Sequence, residues 1–160
     1  MEDLELINGN RPSEIHTIII WDGTEDIKKI DKVLKEILFE DIQILRGDRL
    51  VLDKSSQLKL AKSIYGNENN NRVKNNSILL LCIKDNNPQY SSERATACRQ
   101  VLNKKMKTIK EYMRLHIGGS KTNYHSVHTS YNQEEALLVL KPLKLDSIVE
   151  RPTFPDFKSF

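Results

Sequence analysis

The sequence predicts an α+β domain in which one sheet is covered by helices on one face. Three observations lead there. Two apolar runs of strand length, IHTIIIW at 15–21 and SILLLCI at 77–83, are bounded by polar turn residues. Between them, residues 25–37 carry one apolar stripe on an otherwise charged helical pattern. Strand and helix signals then alternate along 160 residues, a length that suits one compact domain. Residues 1–14 read as a polar arm, 15–145 as the domain and 146–160 as an extended tail.

The elements follow in order. Asp22-Gly23-Thr24 turns the first strand into the first helix, whose stripe is Ile27, Ile30, Val33, Leu34 and Ile37. Residues 39–52, FEDIQILRGDRLVL, form one long strand or two strands bent at Gly47-Asp48, with Arg46-Gly47-Asp48 read as a plain turn. Ser55 or Ser56 caps a helix that runs to about Tyr65 and ends at Gly66. The wholly apolar run at 77–83 is the central strand, buried on both faces. From Ser91 to about Ile117 the period is helical, with a break near Asn103. Asn132, with Glu135 three residues on, caps a last helix at 133–140 that Pro142 closes. The tail holds Phe154, Phe157 and Phe160 between prolines, a strap whose rings dock on the body or on a neighbouring subunit.

Composition excludes more than it selects. A net charge of +3 is compatible with an anionic ligand but falls well short of a nucleic-acid footprint, so nucleic-acid binding is the weakest of three readings. Cys82 and Cys98 lack metal or redox spacing and read as buried free thiols in a reducing compartment. No stretch approaches the ~18 apolar residues of a membrane span. The acidic N-terminus also lacks the basic-then-apolar order of a signal peptide. A cytoplasmic protein without membrane contact is the expectation.

Chemistry concentrates in residues 114–140, RLHIGGSKTNYHSVHTSYNQEEALLVL, which hold three of the four histidines. His125 and His128 stand just before a helix start, where imidazole suits proton or phosphoryl chemistry and a helix end favours anions. Lys107, Lys110 and Arg114 share one helical side that leads into this segment, and Arg clamps phosphate with two parallel hydrogen bonds. Other readings fit less well. A zinc site on His116, His125 and His128 has no acid or thiol at a ligand spacing. A two-histidine phosphoesterase finds only one His-x-Ser, at His128. A serine hydrolase lacks GxSxG, and glycine-rich nucleotide loops are absent.

On these residues the chain resembles the nucleoside diphosphate kinase family. Trp21-Asp22-Gly23 stands where that family's first strand ends in Asp-Gly, and LVLDKSSQLKLAKSIY where a strand runs into a short helix ending near Tyr. Arg114 precedes His128 as an arginine precedes the family's active histidine. His125-Ser-Val-His128-Thr-Ser130-Tyr-Asn132 matches the histidine segment, and a helix and Lys141-Pro142 come after it in both. The parallel covers about residues 15–145 as an order of elements. It implies a ferredoxin-like antiparallel sheet covered by helices and phosphoryl transfer through His128. Several positions depart from the pattern. The family's strand lysine meets only Ile20 or Trp21, its asparagine before the histidine is His125, and its Gly and Asp after it are Thr129 and Tyr131. Its orienting glutamate falls near Val139.

The resemblance implies a divergent histidine-dependent phosphotransferase acting on a nucleotide or phosphorylated small molecule, with Mg carried by the nucleotide phosphates. His128 would be the nucleophile. Arg114 and Lys107 would offset phosphate charge, and His125, Ser130 and Asn132 would be further ligand contacts. The alternative is a non-catalytic nucleotide- or anion-binding module, accessory or inhibitory, using the same pocket. A homo-oligomer is compatible with either.

Overall fold

The computed structural model describes residues 13–37, 39–66, 73, 75–94, 101–117 and 127–149, with backbone alone at 91–94 and 101. Within them the chain runs β1 (Glu14–Ile20), α1 (Ile27–Ile37), β2 (Ile42–Val51), α2 (Lys54–Tyr65) and β3 (Ser77–Asp85). It continues through β4 (Tyr90–Arg94), β5 (Val101–Asn103), α3 (Lys104–His116), β6 (Val127–Thr129) and α4 (Gln133–Leu140), then a short 3₁₀ turn at Asp146–Ile148. Four strands form one sheet in the order β2-β3-β1-β6, every neighbouring pair antiparallel. The result is a single α+β domain.

Helices cover both faces of this sheet, a correction to the one-sided arrangement expected. Successive strand residues point to opposite faces. Ile18, Ile20, Leu79, Leu81 and Val127 therefore join α1 (Ile30, Val33, Leu34) and α3 (Met106, Ile109, Met113) in one core. Ile15, Ile19, Trp21, Ile78, Leu80 and Cys82 join α2 (Leu60, Ala61) and α4 (Val139, Leu140) in the other. That is why both central strands, β1 and β3, must be apolar on each side. Burial raises the Cys82 thiol to about 11, so it stays protonated.

The 39–52 segment is one strand, and Arg46-Gly47-Asp48 lies inside it rather than in a turn. A register shift between Ile44 and Arg46 leaves Leu45 without a partner on β3. One inserted residue reverses the faces beyond it. Ile42 and Ile44 serve the α1/α3 core, whereas Leu50 packs on the α2/α4 side.

Where a helix was expected from Ser91, residues 91–94 and 101–103 are extended and α3 spans Lys104–His116, while 95–100 lie outside the described residues. Ahead of α3, β4 and β5 pair as an antiparallel ribbon, with Tyr90 opposite Asn103 and Ser91 opposite Leu102. Asn103 then caps α3, its side chain accepting from Lys105 N and Met106 N. Helix α2 is capped by Asp53, whose carboxylate accepts from Ser56 N at 2.7 Å, rather than by Ser55 or Ser56. It ends at Gly66, as expected, in the left-handed region (φ 79°). Asn132 caps α4, also as expected, accepting from Glu135 N at 2.9 Å. The Glu135 carboxylate meanwhile accepts from Tyr131 N at 2.9 Å.

Gly23 follows β1 where two backbones nearly touch: Gly23 N donates to Ser77 O at 3.1 Å. A Cβ there would lie 2.3 Å from the Ser77 carbonyl carbon and 2.5 Å from its oxygen. Gly23→Ala is expected to destabilise the fold by roughly 1–3 kcal/mol, a Tm lower by about 3–10 °C. An unchanged melting curve would show that the turn relaxes freely.

Among the described residues no helix is long and apolar enough to cross a membrane. Ile148 and Val149 pack on the α2/α4 core. The N-terminal arm, Cys98 and the tail phenylalanines lie outside the described residues.

Candidate functional site

Strand β6 sits at a sheet edge and carries His128 between Val127 and Thr129. Pairing opposite Ile19 sends the His128 side chain to the α2/α4 face. It is 9% exposed there, and Tyr65, the last residue of α2, meets its ring edge-on with centroids 5.3 Å apart. Trp21, at the position where the resemblance would put strand lysine chemistry, is fully buried in the same core. The apolar face of β1 thus continues to the end of the strand.

Arg114 approaches the same strand from the other side. It belongs to α3, and its Nε and Nη2 donate to the Val127 carbonyl at 3.2 and 3.1 Å. His128 and Arg114 therefore flank β6 on opposite faces. One turn earlier, Lys110 Nζ donates to the Tyr131 hydroxyl. Burial, then the positive charge of Arg114, pulls the Lys110 ammonium down to about 8, with Glu135 and Glu111 partly opposing. Lys107 is exposed on the same helix. So Lys110 and Arg114, one turn apart on α3, reach residues 127–131.

Ser130 turns inward. Its Oγ accepts from Thr17 N at 3.0 Å and lies 2.9 Å from His16 Nδ1. Asn132 is occupied with the α4 cap, and His125 lies outside the described residues. His116 ends α3, its ring tilted against Tyr112 at 4.2 Å. Among the described residues no three potential metal-ligating side chains cluster. An open groove of about 520 Å³ lies between α2 and α4, lined by Ser63, Glu134, Leu137, Leu138, Lys141 and Pro142. None of the sequence-predicted site residues lines it.

The sequence reading overlooked a polar network in the interior. His16 Nε2 lies 2.6 Å from Glu14 Oε1, whose carboxylate also accepts from the Tyr90 hydroxyl and from Asn103 Nδ2. Asn103 Nδ2 reaches Asp85 Oδ2 at 2.9 Å. Lys105 Nζ then donates to Asp85, Asp41 and the Asn87 carbonyl at 2.7–2.9 Å. Burial alone would raise the Glu14 carboxyl, but His16, by hydrogen bond and charge, with Tyr90 and Asn103, holds it below its ordinary range. The Lys105 hydrogen bond likewise lowers Asp41.

Ser130, His16 and Glu14 make a hydroxyl–imidazole–carboxylate relay, the arrangement that activates serine nucleophiles. Here Ser130 and His16 are fully buried and the hydroxyl is shared with a backbone amide. As folded, the relay braces β1 against the segment that enters α4. Its one sequence signal was Glu14-x-His16, two polar residues on the face of β1 that continues with Ile18 and Ile20. No protein-family model matches this chain, and no curated protein matches it.

Proposed function

We propose that this chain is a non-catalytic binding module for an anion of the phosphate class, a nucleotide or a phosphorylated small molecule, on a ferredoxin-like scaffold. The scaffold reading is supported by connectivity. In β1-α1-β2 and in β3-α3-β6, the two strands leave a gap that a strand of the other half fills, with α1 and α3 on one face.

One observation carries the binding reading: Lys110 and Arg114, one helical turn apart, converge on residues 127–131 at the sheet edge. Two cations crowded where one is half withdrawn from water create positive potential that a phosphate oxyanion relieves. The catalytic reading needs one phosphoryl group to meet both Arg114 and the His128 imidazole. These flank β6 from opposite faces, and Tyr65 covers the ring. Binding needs only the Lys110–Arg114 side.

The test is titration of the full chain with ATP, ADP and pyrophosphate, with and without Mg, beside incubation with γ-labelled ATP. Saturable binding is expected, weakened about tenfold or more by Lys110→Met and unchanged by His128→Gln. Affinity should fall as pH rises through about 8, where Lys110 loses its proton. Acid-labile label on the protein, lost in His128→Gln, would return the chain to the phosphotransferase reading. Absence of saturable binding would end the proposal.

A further inference from the structure

We infer that the groove between α2 and α4 is the seat of this chain's own 150–160 segment, which docks there through Phe154 and Phe157. The groove runs beside α4, whose Leu138 is 42% exposed. Leu137 and Pro142 extend its apolar lining, and Glu134 and Lys141 stand toward its two ends. It lies on the α2/α4 face of the sheet, whereas Lys110 and Arg114 belong to α3 on the other. The inference is therefore independent of the anion site.

The occupant follows from where the chain goes after α4. Lys144, at φ 59°, reverses the backbone, and Leu145 N donates to Leu140 O at 2.8 Å. Ile148 and Val149 then pack back on the α2/α4 core. The chain is thus delivered to this layer at the C-terminal end of α4. The five residues from Val149 to Phe154 span up to about 17 Å, and α4 is only about 12 Å long. Phe154 and Phe157 are both within reach. Tethering also makes the docking intramolecular, at an effective concentration on the order of millimolar, which a second copy does not match.

The ring spacing suits such a seat. Pro152 and Pro155 fix their own φ and bias Arg151 and Phe154 toward extended backbone. A polyproline helix repeats every ~3 residues with a rise of about 3.1 Å each. Phe154, Phe157 and Phe160, three apart, then share one stripe with their rings about 9 Å from one another. Entering from the C-terminal end of α4, the segment runs antiparallel to that helix. Phe154 then meets Pro142, and Phe157 meets Leu138. Asp156, between the two rings, faces Lys141, and Lys158 faces Glu134, one turn before Leu138. The opposite direction would set Asp156 toward Glu134 and Lys158 toward Lys141, like charge on like. Charge complementarity and the point of entry therefore specify the same direction.

Nuclear Overhauser spectroscopy of the full chain, with side-chain methyls and aromatic rings labelled, tests the inference. Contacts are expected from the Phe157 ring to Leu138 and from the Phe154 ring to Pro142, unchanged on dilution. In a mixture of two differently labelled chains they should not appear between molecules. Leu138→Glu should move both ring signals to their positions in a synthetic 150–160 peptide. Leu115→Glu, at an exposed leucine of α3, should leave them in place. Missing contacts, contacts only between molecules, or rings that ignore Leu138→Glu would each overturn the docking. So would rings that respond equally to both substitutions, or Phe154 found at the Glu134 end.

Discussion

Replacing Lys105 with methionine is expected to destabilise the fold by about 3–5 kcal/mol, far more than loss of a surface ion pair would. Among the described residues the Lys105 ammonium is the one cation set directly on Asp85, whose carboxylate is fully buried, and it also holds Asp41 and the Asn87 carbonyl. Methionine fills the space of the stem but leaves the Asp85 charge to the Asn103 amide and the Asn87 N–H. Neutral donors offset only part of the desolvation of a buried carboxylate. Chemical denaturation at neutral pH measures the loss. Asp85→Asn in the same chain should recover much of it, since the stranded charge is then gone. A loss below about 1 kcal/mol in the single variant would mean that water reaches Asp85 and that the pair is not an interior anchor.

Where the fold was legible in the sequence, the signal was local. The stripe from Ile27 to Ile37, whose first member Ile27 proves exposed, the Asn132 cap with Glu135, Gly66 after α2 and the run at 77–83 each act within a few residues, and each produced its expected element. The errors arose where distant residues decide. A helical period running back to Ser91 gave way to a ribbon because Tyr90 pairs with Asn103, thirteen positions on, and both bond to Glu14. The bulge at Leu45 depends on β3, and no pattern within FEDIQILRGDRLVL marks it. Covering of both sheet faces, too, depends on which helix stripe meets which strand face.

The candidate site divides in the same way. The helical period placed Lys107, Lys110 and Arg114 on a shared flank because a 3.6-residue repeat is a property of one element. It could not say on which side of β6 that flank would lie relative to His128. That relation is set by the pairing of His128 with Ile19 and by packing of α3 on the Ile18 and Ile20 side. The buried relay was least legible of all. Glu14 and His16 take their partners from Tyr90, Asn103 and Ser130, as many as 114 positions away.

That relay leads to the second large effect. Glu14→Ala is expected to destabilise the fold by about 3 kcal/mol at neutral pH, because His16, the Tyr90 hydroxyl and an Asn103 amide proton lose a buried acceptor together. It should also change the acid limb of the stability curve. The folded-state pKa of Glu14 lies below its ordinary 4.5, so its contribution is complete above about that pH. It is then lost as pH falls from 4.5 through the lower folded value. Asp41, lowered from 3.8 by Lys105, adds a loss on the same side. Unfolding free energy measured from neutral pH downward should therefore fall steeply in the unsubstituted chain below 4.5 and more gently in Glu14→Ala, so that the two curves approach each other in acid. Parallel curves would show that the Glu14 carboxyl titrates alike in the folded and unfolded chain, and the hydrogen bonds from His16, Tyr90 and Asn103 would then not be holding it ionised.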